Sequence, residues 1–210
     1  MLHKETVDPK TLELIIKLQS KTYLKDFYLV GGTALALKIG HRKSIDIDLF
    51  SNFDFDTEEL LENLSNDFSF HLFFSAKNTI KGSIDNVQID ILAHRYPYVC
   101  EPKTIDQISM LSVPDIIAMK LNAITVSGQR VKDFIDLYYL LYDYSVEEMI
   151  SYYKQKYALF NEVNVLKSMT WFDDVDTNEW PIMIKDNNLK WTQVKKNINS
   201  HVSKYLKKQF

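Results

Sequence analysis

Two short segments that alternate residue by residue between apolar and polar or acidic side chains constrain this chain more than any other feature. Ser44-Ile45-Asp46-Ile47-Asp48-Leu49-Phe50 reads as a β-strand, because side chains two apart leave the same face. Ile45, Ile47 and Leu49 are expected to face a core, with Asp46 and Asp48 together on the other side. Val87-Gln88-Ile89-Asp90-Ile91-Leu92 repeats the pattern, with Asp90 opposite Val87, Ile89 and Ile91. If this strand lies beside the first, three carboxylates share one face.

Carboxylates placed so close repel one another and gain nothing from burial. A divalent cation removes that penalty, since hard oxygen ligands are what Mg²⁺ or Mn²⁺ binds. A three-carboxylate cluster suits two ions about 3.5–4 Å apart, the spacing of sites that displace phosphoryl groups in line. The plainer reading makes Asp46 and Asp48 the solvent face of a half-exposed sheet, although alternating Asp is poor strand material.

Around these strands the order of elements can be read locally. Asp8-Pro9 is a helix start followed by Leu12, Ile15, Ile16 and Leu18 at helical spacing. Phe27-Tyr28-Leu29-Val30 reads as a buried strand entering Gly31-Gly32, then a helix from Thr33 that Gly40 ends. Asp56 and Glu59 have capping-box spacing before Leu60, Leu61 and Leu64. Phe68 to Ser75 and Val87 to Leu92 are strands, separated by turn-like Lys81-Gly82-Ser83 and Asp85-Asn86. Ser112-Val113-Pro114-Asp115 starts a helix through Ile124, which turns at Ser127-Gly128-Gln129 into Val131 to Tyr142. The chain is mostly helical from Glu147, and Trp191 to Phe210 reads as a basic helix. This divides the chain into an α/β lobe, 1–102, and a helical lobe, 103–210.

At 210 residues the chain suits one compact domain or two closely packed lobes. A net charge of -3 gives no overall nucleic-acid signature, so such a surface would have to be local. The single cysteine, Cys100, allows no internal disulfide and fits a reducing compartment. With no long apolar run and a polar start at Met1-Leu2-His3-Lys4-Glu5, a soluble cytoplasmic protein without signal peptide is expected.

Gly31-Gly32 sits where a strand enters a helix, so backbone N–H groups and the helix N-terminus suit a triphosphate, with Thr33 as a further hydroxyl donor. Taken alone, the pair reads as a tight strand-helix turn. With Leu29-Val30-Gly31-Gly32-Thr33-Ala34-Leu35 followed by His41-Arg42-Lys43-Ser44-Ile45-Asp46-Ile47-Asp48-Leu49-Phe50, however, the chain resembles the polymerase-β-like nucleotidyltransferases. It is most similar to the AbiEii/AbiGii toxin family of bacterial toxin–antitoxin and abortive-infection systems. Lys120 in Ala118-Met119-Lys120-Leu121 and the run Arg130-Val131-Lys132-Asp133-Phe134-Ile135-Asp136-Leu137 resemble that family's third and fourth motifs. Gly32-Thr33 departs from the commoner Gly-Ser, the second motif is not located, and the likeness is loose outside residues 28–142.

The resemblance implies an α+β fold, with a mixed sheet flanked by helices and a helical C-terminal lobe. It implies that Asp46, Asp48 and Asp90 hold Mg²⁺ or Mn²⁺, and that Gly31, Gly32 and Thr33 cradle an NTP. Lys120 would contact the phosphates, with Asp133 orienting it or acting as base, while Arg42 and Ser44 line the same cleft. By pattern alone, Lys120 shares a stripe with Val113, Ile117 and Ile124 and either snorkels or points into a cleft. Asp133 and Asp136 likewise suit a solvated helix face. Lys195, Lys196, Lys204, Lys207 and Lys208 read as soluble surface or an RNA patch, and Trp171, Trp180 and Trp191 as packing for the helical lobe.

The implied activity is transfer of a nucleoside monophosphate from an NTP to an acceptor hydroxyl. The acceptor implied by resemblance is tRNA, with an antitoxin partner to neutralise the enzyme. A small-molecule acceptor, a protein acceptor and a non-catalytic nucleotide-binding module stay open beside it.

Overall fold

The computed structural model describes residues 1–158 and 161–209, in two compact units, Met1–Ser112 and Val113–Phe210. The first unit is built on a seven-stranded mixed sheet. Helix α1 (Pro9–Gln19) starts at Asp8, whose carboxylate accepts the Lys10 N–H at 2.9 Å. Strand β1 (Tyr28–Leu29) leads directly into α2 (Gly31–Ile39), in which every residue from Thr33 to Leu37 is buried. Helix α2 is therefore a core helix, apolar on all sides. Next come β2 (Ile47–Ser51) and α3 (Thr57–Asp67), the latter capped by Asp56 on the Glu58 and Glu59 amides. Strands β3 (His71–Ala76), β4 (Thr79–Ile84), β5 (Val87–Ala93), β6 (Lys103–Ile105) and β7 (Ile108–Met110) complete the sheet, in the order β3-β4-β5-β2-β1-β7-β6.

Four sequence expectations need correction in this unit. Strand β2 begins at Ile47, so Asp46 precedes it and Ile45, expected in the core, is 67% exposed. Lys81-Gly82-Ser83 is not a turn but the middle of β4; the reversal is Asp85-Asn86, with left-handed φ of 50° and 64°, as a tight hairpin needs. The third strand starts at His71 rather than Phe68, because Phe68 N–H still closes α3 on Leu64. The unit runs to Ser112 rather than residue 102, because the β6–β7 hairpin belongs to the sheet through the parallel pairing of Leu29 with Met110.

The second unit is helical: α4 (Val113–Val126), α5 (Val131–Leu140), α6 (Val146–Lys156), α7 (Glu162–Thr170) and α8 (Trp191–Gln209). Helix α4 packs on α5, α6 and α7. Helix α5 stops short of Tyr142, with Leu141 as its cap. Asp115, read as part of a helix start, is fully buried on the Lys156 ammonium at 2.8 Å. Phe134, Phe172 and Trp191 meet edge to face, whereas Trp171, expected to pack, is 57% exposed with its N–H on Asp174. Val194, Ile198, Val202 and Tyr205 form the buried stripe of α8, and Lys196, Lys204, Lys207 and Lys208 are exposed around it. The expected helix end at Phe210 lies outside the described residues. Among the described residues, no helix is long and apolar enough to cross a membrane.

Candidate functional site

The acidic positions of the first unit are arranged by strand pairing. β1 runs antiparallel to β2 with Leu29 opposite Leu49, and the Val30 N–H donates to the Asp48 carbonyl at 2.9 Å. This brings the start of α2 against Asp48. Gly31 has φ +67°, and a Cβ built on it would lie 2.1 Å from the Asp48 carboxylate oxygen. Only glycine accepts both the backbone conformation and that approach. A Cβ on Gly32 would likewise stand 2.6 Å from the Arg42 guanidinium and 3.3 Å from Ser44 Oγ. The glycine pair thus makes room for a carboxylate and a guanidinium at the N-terminus of a helix.

On its other side β2 runs parallel to β5, and Asp48 is the direct partner of Asp90. In-register partners project from one face with strands about 4.7–4.9 Å apart, so these two carboxylates are neighbours. Ile47, Leu49, Ile89 and Ile91 are all fully buried, on the opposite parity of the same strands. Burying each such side chain stabilises by about 1.5–3 kcal/mol, which fixes the face on which the aspartates emerge. β4 adds a cation from a segment whose sequence is turn-like. Lys81 is the cross-strand partner of Asp90, and its ammonium contacts Asp90 Oδ2.

Thr33 and Ser44 have internal contacts. The Thr33 hydroxyl, 1% exposed, donates to the Asp46 carbonyl at 2.5 Å and lies 2.9 Å from Ser44 Oγ. Thr33 Oγ1 is the donor toward both, so its single proton is shared between the Asp46 carbonyl and Ser44 Oγ. The Thr33 hydroxyl, expected at the triphosphate, here anchors the Ser44–Asp46 segment to α2. Arg42 is 3% exposed and donates from Nη1 to the Lys43 carbonyl at 3.0 Å.

The donor chemistry here fits a divalent cation, on two observations: Asp48 and Asp90 are in-register carboxylates, and Asp48 sits in a cradle that a Cβ on residue 31 would fill. Yet among the described residues no three acidic, histidine or cysteine side chains stand together as a ready ligand set. Strand register brings Asp48 and Asp90 together, while Asp46 stands in the segment just before β2.

Lys120 and Asp133 come together in the second unit. Lys120, 7% exposed, sits 2.6 Å from Asp133 Oδ1 and 2.7 Å from Asp136 Oδ2, both carboxylates being buried. The solvated helix face is excluded, since Asp133 and Asp136 turn inward and clamp α5 to α4. Lys132 beside them pairs with Glu179 at 3.4 Å, and Arg130 stands just before α5.

A family model for the nucleotidyl transferase AbiEii toxin, type IV TA system, matches residues 17–207. An uncharacterized protein, aq_aa25, of Aquifex aeolicus (strain VF5) is 28% identical over 200 residues, covering 92% of this chain and 95% of the relative. The nucleotidyltransferase toxin MenT4 (Rv2826c) of Mycobacterium tuberculosis H37Rv shares the fold with a TM-score of 0.63 at 13% identity, over 91% of this chain and 80% of that one. JHP933 of Helicobacter pylori does so with a TM-score of 0.58 at 16% identity, over 95% and 92%. The family match over most of its length shows that this α+β chain belongs to the AbiEii nucleotidyl transferase toxin family and is a nucleotidyltransferase.

Proposed function

We propose that this enzyme uses Mg²⁺ to move a nucleoside monophosphate from an NTP to the hydroxyl of an acceptor, tRNA being the first candidate. The observation that carries the proposal is the in-register pair Asp48 and Asp90 beside the Gly31-Gly32 start of α2. Asp48 and Asp90, with Asp46 from the preceding segment, would hold the divalent ion. When bound, that ion supplies Lewis-acid stabilisation of charge on the phosphoryl oxygens.

The chain's own groups divide the remaining work. The helix N-terminus at Gly31-Gly32 favours the anionic triphosphate through its partial positive charge. Arg42, held against Gly32, adds a permanent cation. The acceptor oxygen bonds to the α-phosphorus, the bond to pyrophosphate breaks, and the hydroxyl proton passes to a carboxylate, for which Asp90 is the candidate. Thr33 and Ser44 act as positioning residues. Lys120, in the second unit, serves as a phosphate ligand only by exchanging one of its aspartate partners for a phosphate oxygen, so its part is tested separately. The toxin reading places the enzyme in the cytoplasm with tRNA and NTPs, under control of an antitoxin.

The experiment is transfer of label from each [α-³²P]NTP, with Mg²⁺ and total bacterial tRNA, by wild type and Asp48→Ala. Label on RNA that is lost in the variant is the expected result. Label on protein or small molecules instead reassigns the acceptor, and no transfer to any acceptor overturns the proposal.

A further inference from the structure

The middle of β4 places a cation beside the acidic pair. Lys81 on β4, Asp90 on β5 and Asp48 on β2 are successive register partners, so they form a row on one face across adjacent strands. The Lys81 ammonium contacts Asp90 Oδ2, with the two side chains 44% and 32% exposed.

Two aspartates in register repel each other, and Lys81 offsets that repulsion from the neighbouring strand. The same contact occupies an oxygen of Asp90 that a divalent ion would otherwise take. Lysine is suited to such a temporary position: it is a point charge on a flexible stem, and it is exposed enough to swing into water without disturbing the sheet.

We propose that Lys81 is the resident counter-ion of Asp90, a positioning residue that keeps the acidic pair assembled without metal and yields to the divalent ion on loading. It therefore sets how tightly that ion binds. The inference rests on the metal-dependent reading above.

The test is Mn²⁺ binding to the nucleotide-free protein, followed by electron paramagnetic resonance. Lys81→Met removes the competing charge and is expected to tighten Mn²⁺ binding by about two- to five-fold, the factor a half-exposed ion pair is worth. Lys81→Arg keeps the pair and gives no gain. Lys77→Met, which removes an exposed charge from the same β3–β4 hairpin, gives less than half the gain of Lys81→Met. In an Asp90→Asn background Lys81→Met gives none. In EDTA, Lys81→Met should also melt earlier than wild type, and Asp90→Asn should restore the midpoint. An unchanged affinity in Lys81→Met, or an equal gain in Lys77→Met, overturns the inference. If wild type binds Mn²⁺ and loses it in Asp48→Asn while Lys81→Met changes nothing, the inference falls and the metal reading stands. Binding by none of these proteins overturns both.

Discussion

At residue 31 the constraint is a distance: the missing Cβ would stand 2.1 Å from the Asp48 carboxylate, at a φ of +67°. Gly31→Ala must move that carboxylate and strain the backbone at once. The expected cost is about 1–3 kcal/mol in stability, read by urea denaturation. Transfer should fall by about 100-fold or more, since a displacement of about 1 Å at a reacting group has that effect. Thr33→Val removes the hydroxyl beneath Asp46 while keeping the shape. It should cost about 1 kcal/mol by leaving a part-buried carbonyl without its donor, and Thr33→Ser should recover most of it. The glycine pair was legible as a place of close approach. What approaches it was not, because Asp48 and Arg42 reach it through strand pairing that no local pattern encodes.

Among the helices the largest test falls on α4 and α5. Lys120→Met leaves Asp133 and Asp136 buried without their ammonium, an expected loss of about 3–5 kcal/mol in urea denaturation. Adding Asp133→Asn and Asp136→Asn should return much of it, which separates this structural duty from any loss of transfer. Helix α8 gives a pH test. Burial, and then Lys204, hold His201 below its ordinary 6.5. The folded state thus takes up this proton less readily than the unfolded chain, so stability is full above about 6.5 and falls as pH drops through the lower folded value. His201→Gln should flatten that part of the thermal midpoint between about pH 8 and pH 5. Local chemistry made the starts at Asp8 and Asp56 readable, since a cap binds amides of its own first turn. Asp115 stands in the first turn of α4, as its helix-start pattern predicts, but its buried pairing was not legible because the partner, Lys156, is supplied by a different helix.

For the molecule as a whole, most elements followed from the period of the apolar residues and the α+β fold from the family resemblance, whereas the site depends on strand order. Nothing in Val87–Leu92 alone says that it lies parallel to Ile47–Ser51, with Asp90 beside Asp48 and Lys81 beyond. The alternation did identify the right faces for Asp48 and Asp90, and it failed one turn of the chain earlier, where Ile45 lies outside the strand and is exposed. On this reading the paired-carboxylate row performs the transfer. Its most direct test is pyrophosphate release from NTP with Mg²⁺ and total tRNA, measured for wild type, Asp48→Asn and Asp90→Asn after confirming that each is folded. Both variants should lose at least about 100-fold in rate. A wild-type rate in either one would contradict it.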